Sequence, residues 1–161
     1  MKLLKNHSQN FSKAFSLLEV SIVTAIALVL ASLSLSTFFT VSDNQALTKN
    51  VEYTISLIQQ ARTQTLNAQN SSRYSILFAS SSVTLFKGIT YSSTSPSNIQ
   101  FNLSQKVRIS SINLTGGTKQ VSFDFITGKA NATGTVSFIL NNDPKASSTI
   151  ILYRTGLAEI R

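Results

Sequence analysis

The stretch FSLLEVSIVTAIALVLASLSLSTFFTV, Phe15 to Val41, decides how the chain is read. After Glu19 no charge appears until Asp43. The uncharged run from Val20 to Ser42 holds twenty-three residues, about the length a helix needs to cross a hydrocarbon core. Upstream, MKLLKNHSQNFSKA carries Lys2, Lys5 and Lys13 and no acid. Lysines before the run and none close after it orient the N-terminus toward the cytoplasm and the rest outside. Three readings compete. A cleaved secretory signal is the first, but the run exceeds an ordinary h-region and its small-x-small candidate, Ala25-Ile26-Ala27, lies inside it. A plain membrane tether is the second. The third turns on Glu19. A carboxylate in an apolar helix costs ~2.5–3.5 kcal/mol near a bilayer centre and less near the edge. A tether has no use for that charge, so Glu19 is expected to find a partner in an assembled state.

The residues Lys13-Ala14-Phe15-Ser16-Leu17-Leu18-Glu19 carry a resemblance. They look like the class III signal of type IV pilins and pseudopilins. The resemblance implies that a membrane prepilin peptidase cuts on the cytoplasmic side between Ala14 and Phe15. It also implies that the new amine of Phe15 is N-methylated, and that Glu19 is the glutamate at mature position five. The family's usual residue before the cut is Gly, and here it is Ala14. Ser36 stands where major pilins often have a helix-kinking proline, which minor pilins and pseudopilins frequently lack. In low dielectric an ammonium satisfies the Glu19 carboxylate far better than lipid does. The resemblance implies that this ammonium belongs to a neighbouring subunit or to the same one, and that the pair draws the helix into a growing filament.

Working outward, SDNQALTKNVEYTISLIQQARTQTLNAQNSS follows with no Pro or Gly. Leu47, Val51, Ile55, Ile58 and Arg62 recur at helical spacing, with Leu57, Ala61 and Leu66 widening the face. The pattern predicts an amphipathic helix continuing the apolar one to about Ala68, with a stop at Asn70-Ser71-Ser72. Ala61-Arg62 resembles the "AR…A" stretch that ends this helix in the GspH/FimT family. The plainer reading of Arg62 is a long side chain covering apolar surface with its head in water.

From Arg73 the texture changes to short β-branched or alternating runs broken by Ser, Asn, Thr and Gly. Strands are expected at Tyr74–Ala79, Ser82–Phe86, Asn98–Leu103, Lys106–Ser110, Val121–Phe125, Gly134–Leu140, Thr149–Tyr153 and Leu157–Ile160. Turns are expected at Thr115–Thr118, Thr127–Lys129 and Asn141–Pro144. The spacing suggests an antiparallel sandwich or rolled sheet. About 90 residues can bury a modest core with help from the helix. VSFDFITGKANATGTVSFIL and IILYRTGLAEI resemble the last third of the GspH/FimT family. With the N-terminal signal, this suggests a minor pilin or pseudopilin of that family.

Composition removes most chemistry. The chain has 161 residues, Lys+Arg 14 against Asp+Glu 6, no cysteine and one histidine, His7. No disulfide, thiolate metal site or Ser-His-Asp triad within a folded domain can be built from these residues. A typical major pilin closes a C-terminal disulfide loop, so the absence of cysteine argues against one. Charged residues are 12% and hydrophobic residues 42%, which together point to an ordered chain. Asp43, Glu52, Asp124, Asp143 and Glu159 are scattered. Asn141-Asn142-Asp143 lacks the ordered acidic spacing of a calcium loop and reads as a turn. Gly116-Gly117 is no phosphate loop, because no Lys-Ser/Thr follows in place. The reading is a non-enzymatic protein with no cofactor, metal or catalytic residue.

Basic charge raises one further reading. Some FimT-like minor pilins bind DNA through a C-terminal Gly-Arg-x-Arg motif. The corresponding place here is Gly156-Leu157-Ala158-Glu159-Ile160-Arg161, with Leu157 replacing the first arginine and Glu159 adding an opposing charge. Arg154 and Arg161, with Lys129, are the candidates for DNA contact. A solvated surface is the plainer reading. Any phosphate contact would be salt-sensitive.

The expected architecture is α+β: a long N-terminal helix, transmembrane then amphipathic, carrying an antiparallel β-sandwich-like head. Its parts are a cytoplasmic leader at 1–14, a transmembrane helix half at 15–42, an amphipathic half at 43–70 and a β-rich head at 71–161. The implied site residues are Ala14 and Phe15 for processing and methylation, and Glu19 for assembly. The implied partners are other pilins or pseudopilins, the prepilin peptidase, the inner-membrane assembly platform and the lipid bilayer. The implied location is a single-pass protein of the bacterial inner (cell) membrane, head outside, incorporated in a pilus or a type II secretion pseudopilus. A membrane-tethered β-domain unrelated to pili is the structural alternative, and a DNA-uptake minor pilin the functional one.

Overall fold

The computed structural model describes residues 16–68 and 71–161, and of residues 33–40 the backbone alone. A 50-residue helix, α1, spans Leu17–Leu66. No Pro or Gly interrupts that segment, so every interior N–H can reach the carbonyl one turn back. The chain divides into two compact units between Phe39 and Thr40.

In the first unit the described side chains of α1 are exposed on every side, Leu17, Ile22 and Leu28 among them. Its hydroxyls turn inward on the helix. Ser21 donates to the Leu18 carbonyl at 2.7 Å, Thr24 to Val20 at 2.9 Å and Ser32 to Val29 at 2.7 Å. These bonds satisfy polar groups of an apolar stretch without an outside partner. Among the described residues no helix is long and apolar enough to cross a membrane. The expected span, Val20 to Ser42, runs through 33–40, whose side chains lie outside the described residues.

In the second unit α1 buries one stripe. Leu47, Val51, Leu57, Ile58 and Ala61 are joined there by Asn50, Thr54 and Thr65. The three polar members were not part of the expected face, and Ile55 and Leu66 prove more peripheral than expected. Each polar member is buried because its hydrogen bonds are closed. Thr54 donates to the Asn50 carbonyl at 2.8 Å. Thr65 donates to Ala61 at 2.8 Å and accepts the Tyr74 N–H at 2.9 Å. Asn50 donates to Ala46 at 2.6 Å and accepts the Ser104 N–H at 3.0 Å. Ala68, with φ of 47°, takes the left-handed conformation just past the end of the helix.

Eight strands follow, paired wholly antiparallel in two four-stranded sheets. The first has the order β3-β2-β1-β5, from Ile99–Asn102, Ser82–Lys87, Tyr74–Phe78 and Gln120–Ser122. The second has the order β4-β6-β7-β8, from Val107–Leu114, Gly134–Leu140, Ser147–Leu152 and Ala158–Ile160. All eight expected strands exist, and the sandwich-like head is two separate sheets rather than a rolled one. Two lengths differ. β4 runs on to Leu114 because a bulge between Ile109 and Ser111 absorbs the extra residue. β5 stops at Ser122, and Phe123 keeps only an isolated bridge to Ala130. The cause is Asp124, whose Oδ1 accepts the Ile126 and Thr127 N–H groups at 3.0 and 3.1 Å and turns the chain.

One core joins both sheets to α1. Ile76, Phe78, Val83 and Leu85 from the first sheet and Val136, Phe138, Leu140 and Ile150 from the second pack in a single cluster with Val51, Leu57 and Ile58. Alternation along β6 explains it: Val136, Phe138 and Leu140 point inward while Thr135 and Ser137 are half-buried on the other face.

Candidate functional site

Glu19 occupies the first turn of α1, where the helix macrodipole favours a negative charge. It is exposed, and among the described residues no hydrogen bond or ion pair reaches it. Ala14 and Phe15 lie outside the described residues. The start of α1 is therefore a carboxylate ringed by exposed Leu17, Leu18, Ile22 and Val23.

Where α1 enters the second unit, a polar clasp ties it to two loops of the head. Lys106 Nζ lies 2.7 Å from Asp43 Oδ1. Asn142 Nδ2 donates to Asp43 Oδ2 at 2.6 Å. These two donors hold the Asp43 carboxyl below the usual carboxylate range. Asn141 anchors the same loops together, donating through its N–H to Lys106 O at 2.8 Å and through Nδ2 to Gln105 O at 2.7 Å. The Asn141-Asn142-Asp143 turn is thus spent on the clasp. Among the described residues no group of three or more His, Cys, Asp or Glu could hold a metal ion.

At the other end of α1, Arg62 is half-buried rather than extended into water. Its Nε donates to the Gly128 carbonyl at 3.2 Å. Gly156, with φ of 81°, lies against that same carbonyl, and a Cβ there would collide with it. One helix residue and two glycines therefore lock together the 124–129 turn and the β7–β8 turn.

Those two turns border a cleft of about 350 Å³. Arg73, Lys129 and Arg154 bring three cations to its lining, and Asn131 and Ser122 bring polar groups. One carboxylate, Asp124, shares it. Oδ1 takes the turn N–H groups and the Thr127 hydroxyl at 3.2 Å, and Oδ2 lies 3.8 Å from Arg73. The backbone donors Ile126 and Thr127 hold the Asp124 carboxyl below its usual range. Arg73 also lies 5.3 Å over the Phe125 ring, so it is held in place from two sides. Lys129 and Arg154 are exposed.

Of the residues considered for DNA contact, Lys129 and Arg154 come together here. Arg161 does not. It pairs with Thr149 toward the start of β7, while Arg154 follows the end of that strand. Arg73 and Asn131 were not legible as site residues. Arg73 reads as the residue before a strand, and it reaches the cleft only because β1 lies beside β5 in the sheet.

The helix and two antiparallel sheets together form an α+β fold like that of the type IV pilins. Among solved structures, the chain is similar to the type IV minor pilin FimU of Pseudomonas aeruginosa, with a TM-score of 0.52 at 12% identity, over 71% of this chain and 92% of that one. At that identity the likeness is one of fold. No family model and no curated protein matches the chain.

Proposed function

We propose that the chain is a structural subunit, a minor pilin or pseudopilin of GspH/FimT type, and not an enzyme. One observation carries this reading: the pilin-like fold begins with a helix whose first turn holds Glu19 among exposed apolar side chains. The first part of α1 needs cover from outside the chain, and lipid or the helices of other pilins supply it. The prepilin peptidase removes 1–14 after Ala14, and Phe15 becomes the N-methylated terminus. Glu19 then pairs with the ammonium of a neighbouring subunit or of its own chain, favouring entry into a pilus or secretion pseudopilus at the inner-membrane assembly platform. The mature protein is a single-pass membrane protein with its head outside the cytoplasm.

Two measurements test this. Intact mass of protein from the native membrane should show loss of Met1–Ala14 and one added methyl group. Retention of the leader beside an active prepilin peptidase favours the tethered β-domain instead. Glu19→Val should keep membrane abundance, because it removes a charge from an apolar helix, yet lose co-purification with other pilin subunits. Wild-type co-purification and machine activity in Glu19→Val would mean that Glu19 has no assembly role.

The DNA-uptake reading keeps one observation in its favour, the shared cleft of Lys129 and Arg154. It loses Arg161 as a neighbour of that cleft.

A further inference from the structure

The cleft between the two locked turns combines two kinds of surface. Its three cations outnumber its one carboxylate, Asp124, whose Oδ1 accepts from the turn and whose Oδ2 lies 3.8 Å from Arg73. Lys129 and Arg154 carry exposed charges that no acid of this chain pairs among the described residues. The same two turns also present large apolar side chains to solvent. Ile126, at the tip of the 124–129 turn, is 89% exposed. Leu157 and Tyr153, in the β7–β8 turn, are 49% and 41% exposed. The backbone beneath them is fixed: Asp124 pins one turn, Gly156 packs on Gly128 O, and Arg62 braces that carbonyl from α1. A rigid apolar tip beside unpaired cations is the arrangement of a protein-binding surface, in which apolar anchors supply affinity and charges supply orientation.

We infer that this face of the head docks a protein segment bearing a carboxylate beside an apolar residue. The carboxylate enters the cleft between Arg73, Lys129 and Arg154, where the Arg guanidinium geometry suits a two-oxygen anion. The apolar neighbour lies on Ile126 and Leu157. The surface fits this partner better than a nucleic-acid backbone. A phosphate track needs a stripe of cations, whereas Arg161 stands apart, and Ile126 offers nothing to a phosphate. The surface belongs wholly to the second unit, so it goes beyond the assembly role of Glu19 and does not depend on it.

The test uses the full chain in detergent micelles at near-physiological salt. The probes are an acetylated Gly-Leu-Glu-Glu-Leu-Gly peptide, its Gln-Gln counterpart and a single-stranded oligothymidylate, followed by calorimetry and by amide NMR shifts. The Glu-Glu peptide should bind and shift the amides of 124–131 and 153–157, and the Gln-Gln peptide should bind about tenfold more weakly. Arg154→Ala and Ile126→Ser, both at exposed positions, should each weaken the Glu-Glu peptide about fivefold or more with the circular dichroism spectrum unchanged. Arg161→Ala should leave binding as it is. The inference is overturned by no peptide binding, by equal loss in Arg161→Ala, or by an oligothymidylate that binds more tightly than the peptide and ignores Ile126→Ser. Loss of co-purification in Glu19→Val bears on the pilin reading alone, and peptide binding bears on this surface alone.

Discussion

Residues 17–32 and residues 47–65 share one helical backbone and opposite situations. In the first stretch the side chains are mainly apolar and all exposed. In the second they are mixed, yet Val51, Thr54, Ala61 and Thr65 are fully buried. Hydropathy along the helix therefore runs against burial. What decides burial is whether the head covers the position and closes its hydrogen bonds, as it does for Asn50 and Thr65. The exposed stretch has no such cover among the described residues.

The sharpest way to break this comparison is to place the same charge in both stretches. Val51→Asp puts a carboxylate in the core and should cost several kcal/mol, enough to abolish cooperative unfolding of the head. Ile26→Asp should leave the head's unfolding within about 0.5 kcal/mol of wild type, because no head residue covers it. Denaturant unfolding of the full chain in detergent, followed by tyrosine fluorescence, measures both. Equal effects would erase the distinction.

A smaller effect is expected from polar truncation. Asn50→Ala leaves the Ser104 N–H without its acceptor and should cost about 1–3 kcal/mol. Thr48→Ala, on the exposed side of the same turn, removes only a hydroxyl that bonds back to Asn44 and should cost less than about 0.5 kcal/mol. If the two variants unfold alike, closed hydrogen bonds are not what admits polar residues to the stripe.

The smallest effect concerns the clasp. The folded Asp43 carboxyl titrates below its unfolded value because Lys106 and Asn142 donate to it. Its contribution is fully present above the unfolded value, about 4, and is lost as pH falls through the lower folded value. The thermal midpoint of wild type should therefore decline as pH drops below about 4. Asp43→Asn should flatten part of that decline. Asp124, shifted the same way, should retain the remainder.

Period-two alternation and turn residues made the head legible, because Val136, Phe138 and Leu140 of β6 and Ile150 and Leu152 of β7 follow the pleat, with Ile139 the buried exception. The helix was legible from its length and its lack of Pro and Gly. Three features were not. Asn50, Thr54 and Thr65 are polar by type, and only their distant or back-bonded partners make them core residues. The Ser110-Ser111 pair reads as a break but sits at a bulge that lets β4 continue. The cleft joins residues from either side of the sheet pairing, so nothing in a local window marks Arg73 as a companion of Arg154. Glu19 stood out in sequence because a charge in an apolar run is conspicuous anywhere.

The clasp and the Arg62 brace also set a timetable for synthesis. Thr65 meets Tyr74 only 9 residues away, so that contact can form as soon as the chain turns back. Arg62 waits for a carbonyl 66 residues further on, and Asp43 for an amide 99 residues further on. Contacts of such separation form late and slowly. While the strands are being made, the stripe of Leu47, Val51, Leu57 and Ile58 has no sheet to cover it. A half-made chain therefore leaves that stripe without its full cover until the turns at Gly128 and Gly156 arrive to close the head.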